Sequence, residues 1–362
     1  MTEKKRIIIA TGGTGGHVFP ASSLSNYLKD KFEIEIFSDK RGLKYFQNKK
    51  NVKIINTGSI FQKNLFKVIL NLGKIILATI YSFFYLKKNN PKLVLGMGGY
   101  SSFPVCVASY LLKIPIIIYE NNQVLGRANR ALLPIVKKIL VCNKNILGIN
   151  KKYSEKIFVS GYLLREEIFE LKKNNNKKKN NQELSVLIMG GSQSAKVFGE
   201  KITNTIVQCY KRNIKFKIYQ QCLDKQMQDI KEIYEKNKVN FELFSFSEKL
   251  SEHYQASDLA ITRSGASSVA ELLNLRIPFI AIPLPSSADN HQFENALNFE
   301  KKGYCFLLEE KLIFPKLFEI LEDLNKNREK LLSLKSKMAE HSDKDSLLIV
   351  GNFIEKFLNE KN

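Results

Sequence analysis

Apolar runs of strand length alternate with helix-length stretches along the first part of the chain. The runs lie at positions 6–10, 34–38, 52–56, 93–97, 115–119, 138–142 and 156–160. Strands that alternate with helices are typical of a parallel sheet covered by helices on both faces. This part of the chain is therefore predicted to be an α/β domain with a doubly wound parallel sheet.

The alternation stops at the stretch Lys172–Asn181, which contains only lysine and asparagine. We expect a surface loop near a domain boundary there. A new run at 185–189 ends in Gly190-Gly191-Ser192, and further runs follow near 216–220, 241–245, 258–262 and 278–282. The sequence thus predicts two successive Rossmann-like domains. If both sheets turn the carboxyl ends of their strands to a shared cleft, a ligand lies between the domains, with His17 and Ser192 on opposite walls.

The first glycine turn, Gly12-Gly13-Thr14-Gly15-Gly16-His17, follows the apolar run Ile7-Ile8-Ile9. Glycines let a ligand approach the backbone, and the next helix would direct its free N–H groups and positive dipole end at an anion. The dinucleotide fingerprint G-x-G-x-x-G is excluded because Val18 stands where its last glycine is needed. His17 adds a group that titrates near neutral pH. A plain tight turn of a doubly wound fold is the alternative.

A long apolar segment at 64–88 is long enough to cross a bilayer. Lys67, Asn71 and Lys74 recur on one side of it, which is costly at membrane depth but natural for a helix at a membrane surface. Three interpretations stay open: a spanning helix, a helix partly buried in the sheet domain with a membrane-facing apolar patch, and a plain core helix. Lysines at 63, 67, 74, 87 and 88 would favour anionic headgroups, or form a solvated rim.

Composition narrows the class of protein. With 362 residues, 44% of them hydrophobic and 25% charged, the chain suits two globular domains. Its net charge of +22 predicts attraction to polyanions such as nucleic acid, an anionic membrane or phosphorylated substrates, although part of it comes from solvated lysine runs. Five scattered cysteines form no C-x-x-C pair and no metal cluster with the four histidines, which fits a reducing cytoplasm. The first strand starts within six residues, so we expect no signal peptide.

Two turns of the second domain carry candidate binding groups. Arg263-Ser264-Gly265-Ala266 follows a strand and opens a helix whose N-terminus suits a diphosphate. Glu271, on the same helix, either accepts bonds from two ribose hydroxyls or is an ordinary exposed glutamate. Asp289 is expected to cap the following helix, with Gln292 and Asn295 on one face as readers of sugar hydroxyls.

Other polar or glycine-rich segments lie at strand ends or near the C-terminus. Gly96–Ser102 and Tyr119–Asn122 stand at strand ends that face the presumed cleft, or are ordinary turns. Asp343-Lys344-Asp345 lies outside any predicted strand end and is interpreted as solvated surface. Residues Ser346–Leu358 have apolar positions at helical spacing and are predicted to form an amphipathic helix.

In their order along the chain, these motifs make it similar to the family 28 glycosyltransferases that transfer N-acetylglucosamine from UDP-GlcNAc to lipid I. The resemblance rests on Gly12–Pro20, Gly96–Tyr100, Glu120 with Asn122, Gly190–Gln193, Arg263–Ala266, Glu271, and His291-Gln292 with Asn295-Ala296. It implies an α/β GT-B fold with an N-terminal acceptor and membrane domain at 1–164, a C-terminal UDP-GlcNAc-binding domain at 165–342, and an interdomain cleft. It also implies a C-terminal helix at about 343–360 that packs back on the first domain.

The resemblance further implies an activity and a location. The reaction would be an inverting transfer of GlcNAc to the 4-hydroxyl of MurNAc in lipid I, giving lipid II and UDP in peptidoglycan synthesis. The protein would be attached peripherally to the cytoplasmic face of the inner membrane, through the basic and apolar 61–88 region. No metal, no cofactor and no nucleic acid partner is expected.

Carried over by position, the resemblance assigns substrate binding to Thr14, Gly15, Gly16, Asn122, Arg165, Ser192, Gln193, Ser247, Ala266, Ser267, Ser268, Val269, Ala270, Glu271, His291 and Gln292. His17 is either the catalytic base or a ligand of the acceptor diphosphate. Asn122 is placed with it among the catalytic candidates. Glu271 would hold the ribose, and Gln292 with His291 the GlcNAc.

The chain departs from the family pattern in places. The usual His-Glu-Gln-Asn is Tyr119-Glu120-Asn121-Asn122 here, Gly-Asn-Pro-x-Arg is Gly161-Tyr162-Leu163-Leu164-Arg165, and Ser194 closes the second glycine turn. The register of Arg165 is therefore open. Ser247 stands where an aliphatic residue is common, whose backbone meets the uracil, and 61–66 corresponds poorly to the relatives' acceptor loop. Two other functions stay open: a related GT-B enzyme with another lipid acceptor, and a nucleotide-binding membrane protein without turnover.

Overall fold

The computed structural model describes residues 4–43, 45–46, 51–58, 64–174, 183–190, 197–245 and 250–360. The chain divides into two compact units, Met1–Arg165 together with Asp343–Asn362, and Glu166–Ser342. Each unit is built on a parallel sheet of its own.

The first unit has a seven-stranded sheet. Its strands are β1 (Arg6–Ala10), β2 (Glu33–Ser38), β3 (Val52–Ile54), β4 (Leu93–Gly96), β5 (Ile116–Glu120), β6 (Lys138–Val141) and β7 (Ile157–Val159). They pair in parallel in the order β3-β2-β1-β4-β5-β6-β7. The connecting helices are α1 (Gly15–Leu28), α2 (Lys40–Leu43), α3 (Leu65–Asn89), α4 (Ser102–Leu111) and α5 (Arg127–Leu132). Because helices cover both faces of such a sheet, the interior strand β1 is apolar after Arg6, and Ile7, Ile8 and Ile9 are fully buried.

The second unit repeats this plan with six strands. They are β8 (Leu184–Met189), β9 (Phe216–Gln221), β10 (Asn240–Phe244), β11 (Leu259–Thr262), β12 (Phe279–Ala281) and β13 (Cys305–Leu307), paired in parallel in the order β10-β9-β8-β11-β12-β13. Its helices are α6 (Glu166–Asn174), α7 (Thr203–Lys211, after a π-helical turn at Phe198–Ile202), α8 (Asp224–Lys236), α9 (Leu250–Ala256), α10 (Ala266–Leu275), α11 (His291–Lys301), α12 (Ile313–Lys326) and α13 (Glu329–Ala339). The predicted pair of doubly wound parallel sheets is confirmed. Sequence reasoning missed β13, although positions 304–308 form an apolar run of strand length.

The last helix, α14 (Ser346–Asn359), confirms the predicted amphipathic segment. It packs on the first unit, where the rings of Phe353 and Phe158 stack at 4.3 Å. Gly351 lies so close to α1 that a Cβ there would be 2.5 Å from a ring carbon of Tyr27.

The interpretation of Asp343 as solvated surface is wrong. Its side chain is buried, and its carboxylate accepts a hydrogen bond from the backbone N–H of Tyr162 at 2.9 Å. Gly161, which has a positive φ of 74°, brings the backbone close to Asp343 and Ser346. The acidic pair therefore includes a residue that ties the start of the C-terminal segment to the end of the first α/β unit.

Helix α3 confirms the long apolar segment and separates its three interpretations. Its C-terminal half is anchored on the sheet, since the hydroxyl of Tyr85 donates to the carboxylate of Glu35 at 2.9 Å and its ring packs edge-on against Phe37. The opposite side is exposed along Leu65, Phe66, Ile69, Leu70, Leu72, Ile76, Leu77, Ile80, Tyr81 and Phe84. A plain core helix is therefore wrong. The observed helix is partly buried and carries an exposed apolar stripe.

Candidate active site

In each unit, the order of the strands reverses beside the first strand, and such a switch point is where open α/β sheets bind ligands. In the first unit it lies between β1 and β4, so the turns after these two strands flank it. In the second unit it lies between β8 and β11. One of the candidate segments singled out in the sequence follows each of these four strands. Each candidate segment therefore flanks the switch point of its own unit.

The two glycine turns of the first unit pack backbone against backbone. A Cβ on Gly99 would lie 2.6 Å from the carbonyl oxygen of Gly12, and a Cβ on Gly12 would lie 2.5 Å from Oγ of Ser101. Gly98 and Gly99 also have positive φ angles of 88° and 79°, which side-chain-bearing residues rarely adopt. These glycines are therefore needed for the close approach of the turns themselves.

His17 occupies the space that one of these glycines leaves open. It lies in the first turn of α1, and a Cβ on Gly98 would be 2.6 Å from its Nδ1 and 2.8 Å from its Cε1. Thr14 is the N-cap residue of α1, and Gly15 and Gly16 begin the helix. The structure thus brings Thr14, Gly15, Gly16 and His17 together at a helix N-terminus. The imidazole ring lies against Gly98 in the glycine turn after β4.

Sequence reasoning missed the residue that supports the first glycine turn, which follows β1. Asp39, directly after β2, is buried and accepts hydrogen bonds from the N–H groups of Gly13 at 3.0 Å and Gly42 at 2.8 Å. Its other oxygen accepts from the guanidinium of Arg41 at 2.7 Å. Burial raises the pKa of this carboxyl, but the two backbone donors and Arg41 outweigh burial and lower the pKa below its ordinary value. An acidic residue just after the second strand was the available signal.

The loop after β5 is organised by Glu120, which is fully enclosed. Its carboxylate accepts from the backbone and side-chain N–H groups of Asn122 at 3.1 and 2.9 Å, from Gly126 N at 2.8 Å and from the Asn129 amide at 3.0 Å. Asn121 donates to the carbonyl of Gly16 at 2.8 Å. Glu120 therefore fixes the position of Asn122, and Asn121 connects this loop to the first turn of α1, which carries His17.

Two of the departures from the family pattern, Tyr119–Asn122 and Gly161–Arg165, contact each other. The hydroxyl of Tyr119 accepts from the N–H of Leu163 at 3.2 Å, at a position where a proline would have no N–H to donate. Arg165 ends this segment, with its guanidinium carbon 5.0 Å from the ring centre of Phe19 on α1. Within the first unit, Arg165 therefore lies against the helix of the glycine turn.

In the second unit, the turn after β11 opens α10 at Gly265, whose N-cap backbone is extended. Within the described ranges, a Cβ on Gly265 would meet nothing within 4 Å, and the buried Oγ of Ser264 has no hydrogen-bond partner. Both observations indicate a site for a polar ligand at this helix N-terminus. Arg263 has a different task, because it is buried and donates to the carbonyls of Ile282 and Pro283 and to the carboxylate of Glu310.

The predicted donor residues on α10 fall into two groups. Ser267 and Ser268 lie in the first turn, and Ser268 is exposed. Val269 and Ala270 are fully buried and Ala266 is nearly so, because this side of the helix faces the hydrophobic core. A ligand at the helix start can therefore meet these three residues only through their backbone.

Glu271 is not the exposed glutamate of the alternative interpretation. It is 6% exposed, and its Oε2 accepts a hydrogen bond from the hydroxyl of Tyr254 on α9 at 2.8 Å. A carboxylate has about four lone-pair sites on its two oxygens, so it can accept from several donors at once. Tyr254 was not recognised in the sequence, since it lies 17 residues from its partner and no spacing rule connects them.

The start of α11 corrects two expectations. Asp289 does not cap the helix, because it lies in the left-handed region at φ 50° and Asn290 occupies the N-cap position. Asn295 is buried and not exposed beside Gln292, and it donates to the carbonyl of Ser264 at 3.0 Å, which connects α11 to the turn after β11; its contact with a sugar stays a prediction.

His291 and Gln292 are oriented by the backbone. Nδ1 of His291 donates to the carbonyl of Ala288 at 2.8 Å, so a ligand would meet its Nε2. The amide oxygen of Gln292 accepts from Leu284 N at 3.0 Å, so a ligand hydroxyl would meet its NH₂ group.

Three predicted site residues, Ser192, Gln193 and Ser247, lie outside the described residues, as do positions 61–63 of the predicted membrane region. Across the described ranges, no group of three or more histidine, cysteine, aspartate or glutamate side chains is arranged to hold a metal ion.

Comparison with known proteins identifies the class to which this fold and these turns belong. The model of the glycosyltransferase family 28 N-terminal domain matches residues 7–141, and that of the family 28 C-terminal domain matches residues 185–348. A Pelagibacter ubique protein named UDP-N-acetylglucosamine–N-acetylmuramyl-(pentapeptide) pyrophosphoryl-undecaprenol N-acetylglucosamine transferase is 37% identical over 93% of this chain and 94% of its own length. A Rickettsia bellii protein of the same name is 35% identical over 98% of this chain and all of its own length.

Among solved structures, the crystal structure of Acinetobacter baumannii MurG has a TM-score of 0.76 and 26% identity, over 97% of this chain and 99% of that one. The chain therefore belongs to glycosyltransferase family 28, and within it to the MurG family. The GT-B fold class expected from the sequence is confirmed.

Proposed function

We propose that the protein is an inverting glycosyltransferase that moves GlcNAc from UDP-GlcNAc to the 4-hydroxyl of MurNAc in lipid I, with lipid II and UDP as products. The full-length relation to transferases named for this reaction carries the proposal. The described site supports it, since each unit has a polar turn and a helix N-terminus at its own switch point.

The second unit is proposed to bind the donor. The N-terminus of α10, with the backbone of Ala266 and the hydroxyls of Ser264, Ser267 and Ser268, would hold the diphosphate by hydrogen bonds and by the helix dipole. Glu271 would accept from the ribose hydroxyls. The NH₂ of Gln292 and Nε2 of His291 would contact the GlcNAc. By position, Ser192 and Gln193 join the phosphate site, and Ser247 the uracil site.

The first unit is proposed to bind the acceptor and supply the base. An imidazole titrates near neutral pH, so His17 can accept the proton of the attacking 4-hydroxyl as its oxygen bonds to the anomeric carbon and the bond from that carbon to the phosphate oxygen of UDP breaks, releasing UDP. The fixed position of its ring against Gly98 supports this role. Thr14, Gly15 and Gly16 would offer backbone N–H groups to the acceptor, with Asn122 and Arg165 beside them.

The exposed stripe of α3 is proposed to bind the cytoplasmic membrane surface. Leu65, Ile69, Leu72, Ile76 and Ile80 recur at helical spacing along its centre. Lys67 and Lys74 lie at its edge, where they would meet anionic headgroups. A spanning arrangement is disfavoured because Tyr85 and Phe37 fasten the same helix to the sheet.

Incubation of the purified protein with labelled UDP-GlcNAc and a lipid I analogue tests the reaction. Lipid II is the expected product. Retained UDP binding without any product would favour a binding protein, and transfer to other lipids alone would favour a different acceptor. In H17A, loss of the base should lower turnover by about 10²- to 10⁴-fold. UDP affinity should change little, and an unchanged rate would remove His17 as the base.

Flotation with vesicles of phosphatidylcholine and phosphatidylglycerol tests the membrane surface. The double variant I69S/L77S removes two exposed side chains, 60% and 68% accessible, and should lose vesicle binding without unfolding. The matched control L332S alters a 62% exposed leucine on α13 and should bind as before. Equal binding of both variants would overturn the assignment.

A further inference from the structure

Tyr254 and Glu271 form a buried hydrogen bond between two polar side chains, which the packing of a helix into a hydrophobic core does not require. The two residues come from different elements, α9 and α10, and both are nearly enclosed, at 2% and 6% exposure. The phenol donates to Oε2 at 2.8 Å. A hydrogen bond to a carboxylate is stronger than a neutral one and fixes the direction of the group it joins.

The orientation of a glutamate carboxylate depends on the donors that bind it. The last torsion of the side chain is broad and roughly two-fold, and a free glutamate side chain has substantial conformational entropy. A ligand that needs both carboxylate oxygens in one plane would have to order this group when it binds. A donor that orders the carboxylate beforehand removes that cost and increases affinity.

Helix α9 is well placed to keep Tyr254 fixed. The neighbouring residue His253 is also buried and stacks on Phe244 at the end of β10, with ring centres 4.1 Å apart and planes 18° apart. On the other side of Tyr254, the hydroxyl of Ser257 donates to the carbonyl of His253 at 2.6 Å. The phenol therefore projects from a short helix that is itself held by stacking and a side-chain hydrogen bond.

We propose that Tyr254 is a positioning residue that aims the Glu271 carboxylate at a vicinal diol, and so makes the donor site selective for a ribonucleotide over a deoxyribonucleotide. This inference rests on the proposed role of Glu271 at the ribose. Tyr254 acts through Glu271 and itself contacts no substrate. A purely structural tyrosine would stabilise the unit equally for every ligand, whereas a positioning tyrosine affects ligands with two hydroxyls most.

The test compares UDP with 2′-deoxy-UDP by calorimetric titration of the full-length protein. The unmodified protein should prefer UDP by about tenfold or more, the value of one hydrogen bond to a charged group. In Y254F, UDP affinity should fall by about tenfold and 2′-deoxy-UDP affinity by much less, because the latter has one hydroxyl fewer to align. The preference for UDP should therefore shrink.

The matched control is Y234F. Tyr234 is fully buried in the same unit and its hydroxyl donates to Gln220, so the variant loses a buried tyrosine hydrogen bond away from Glu271. It should lower the melting temperature but leave both affinities and their ratio unchanged. Phenylalanine keeps the ring in both variants, and their melting curves verify folding.

The outcomes separate this inference from the proposed function. If E271A leaves UDP affinity unchanged, the ribose assignment itself fails. A second outcome is that E271A weakens UDP binding, while Y254F lowers the affinities for UDP and 2′-deoxy-UDP by the same factor or changes neither of them. The positioning role of Tyr254 is then refuted, and the donor site stands. The inference is supported if Y254F loses the preference for UDP and Y234F keeps it.

Discussion

Substituting Gly98 by alanine should disable the enzyme through His17 while leaving the donor site intact. The added Cβ would lie 2.6 Å from Nδ1 and 2.8 Å from Cε1 of the imidazole. Ordinary contacts between such atoms are about 3.5 Å, so the ring or the turn must move by about 1 Å. A displacement of this size in a reacting group costs about a hundredfold in rate.

The substitution also strains the backbone, and a second glycine isolates that effect. Gly98 has φ 88° and Gly148 has φ 87°, so alanine at either position pays about 1–2 kcal/mol for a left-handed conformation. At Gly148, the nearest atom to a new Cβ is the flexible guanidinium end of Arg130 at 3.3 Å. G148A therefore reproduces the strain without touching His17.

The assay combines urea unfolding, UDP titration and steady-state transfer to a lipid I analogue. Both variants should lose stability, G98A more because of its clash with His17, and both should bind UDP as before, because Glu271 and α10 belong to the other unit. Only G98A should lose turnover, by about a hundredfold. If G98A transfers GlcNAc as fast as G148A, the position of the His17 ring is irrelevant to catalysis and its assignment as base is refuted.

Three further predictions concern stability. D343A should destabilise the protein by about 1–3 kcal/mol in urea, because the buried N–H of Tyr162 loses its acceptor; an unchanged midpoint would contradict the bond. The lowered pKa of Asp39 means that its ionised form stabilises the fold above the ordinary pKa of 3.8, and this contribution disappears as the pH falls through the native pKa. In D39N, the free energy of unfolding should therefore fall less steeply as the pH is lowered. An unchanged pH dependence would contradict this role of Asp39. G73A, in an α3 interior with no atom of the described residues near the new Cβ, should stabilise by about 0.5–1 kcal/mol, which a lower melting temperature would refute.

The sheets were predictable because parallel strands are buried on both faces and so read as continuous apolar runs. Even the three-residue strands β3, β7 and β12 lie within predicted runs, whereas β13 was missed although positions 304–308 are an apolar run as well. The glycine turns were also predictable, since strand ends and glycine content are local properties. The fold class therefore followed from short-range patterns repeated along the chain.

The supporting contacts were not predictable in the same way. Asp39 bonds to Gly13, Tyr254 bonds to Glu271, and Asp343 bonds to Tyr162, which is 181 residues away in sequence. Topology determines which residues meet at such distances, and no periodicity encodes them. The expectation that Asp343 is solvated failed for this reason, because an acidic residue outside a strand end gives no local sign of a buried donor.

The two units use their glycine turns differently, and this difference supports the division of labour between them. In the first unit, the N–H of Gly13 is taken by Asp39 and the space beside Gly98 is filled by His17. That turn is built around a side chain able to transfer a proton. In the second unit, among the described residues, the space beside Gly265 is open and Ser264 has an unsatisfied buried hydroxyl. A turn with open space and unused donors at a helix N-terminus is suited to a diphosphate, which supports placing the nucleotide there and the base on the first unit.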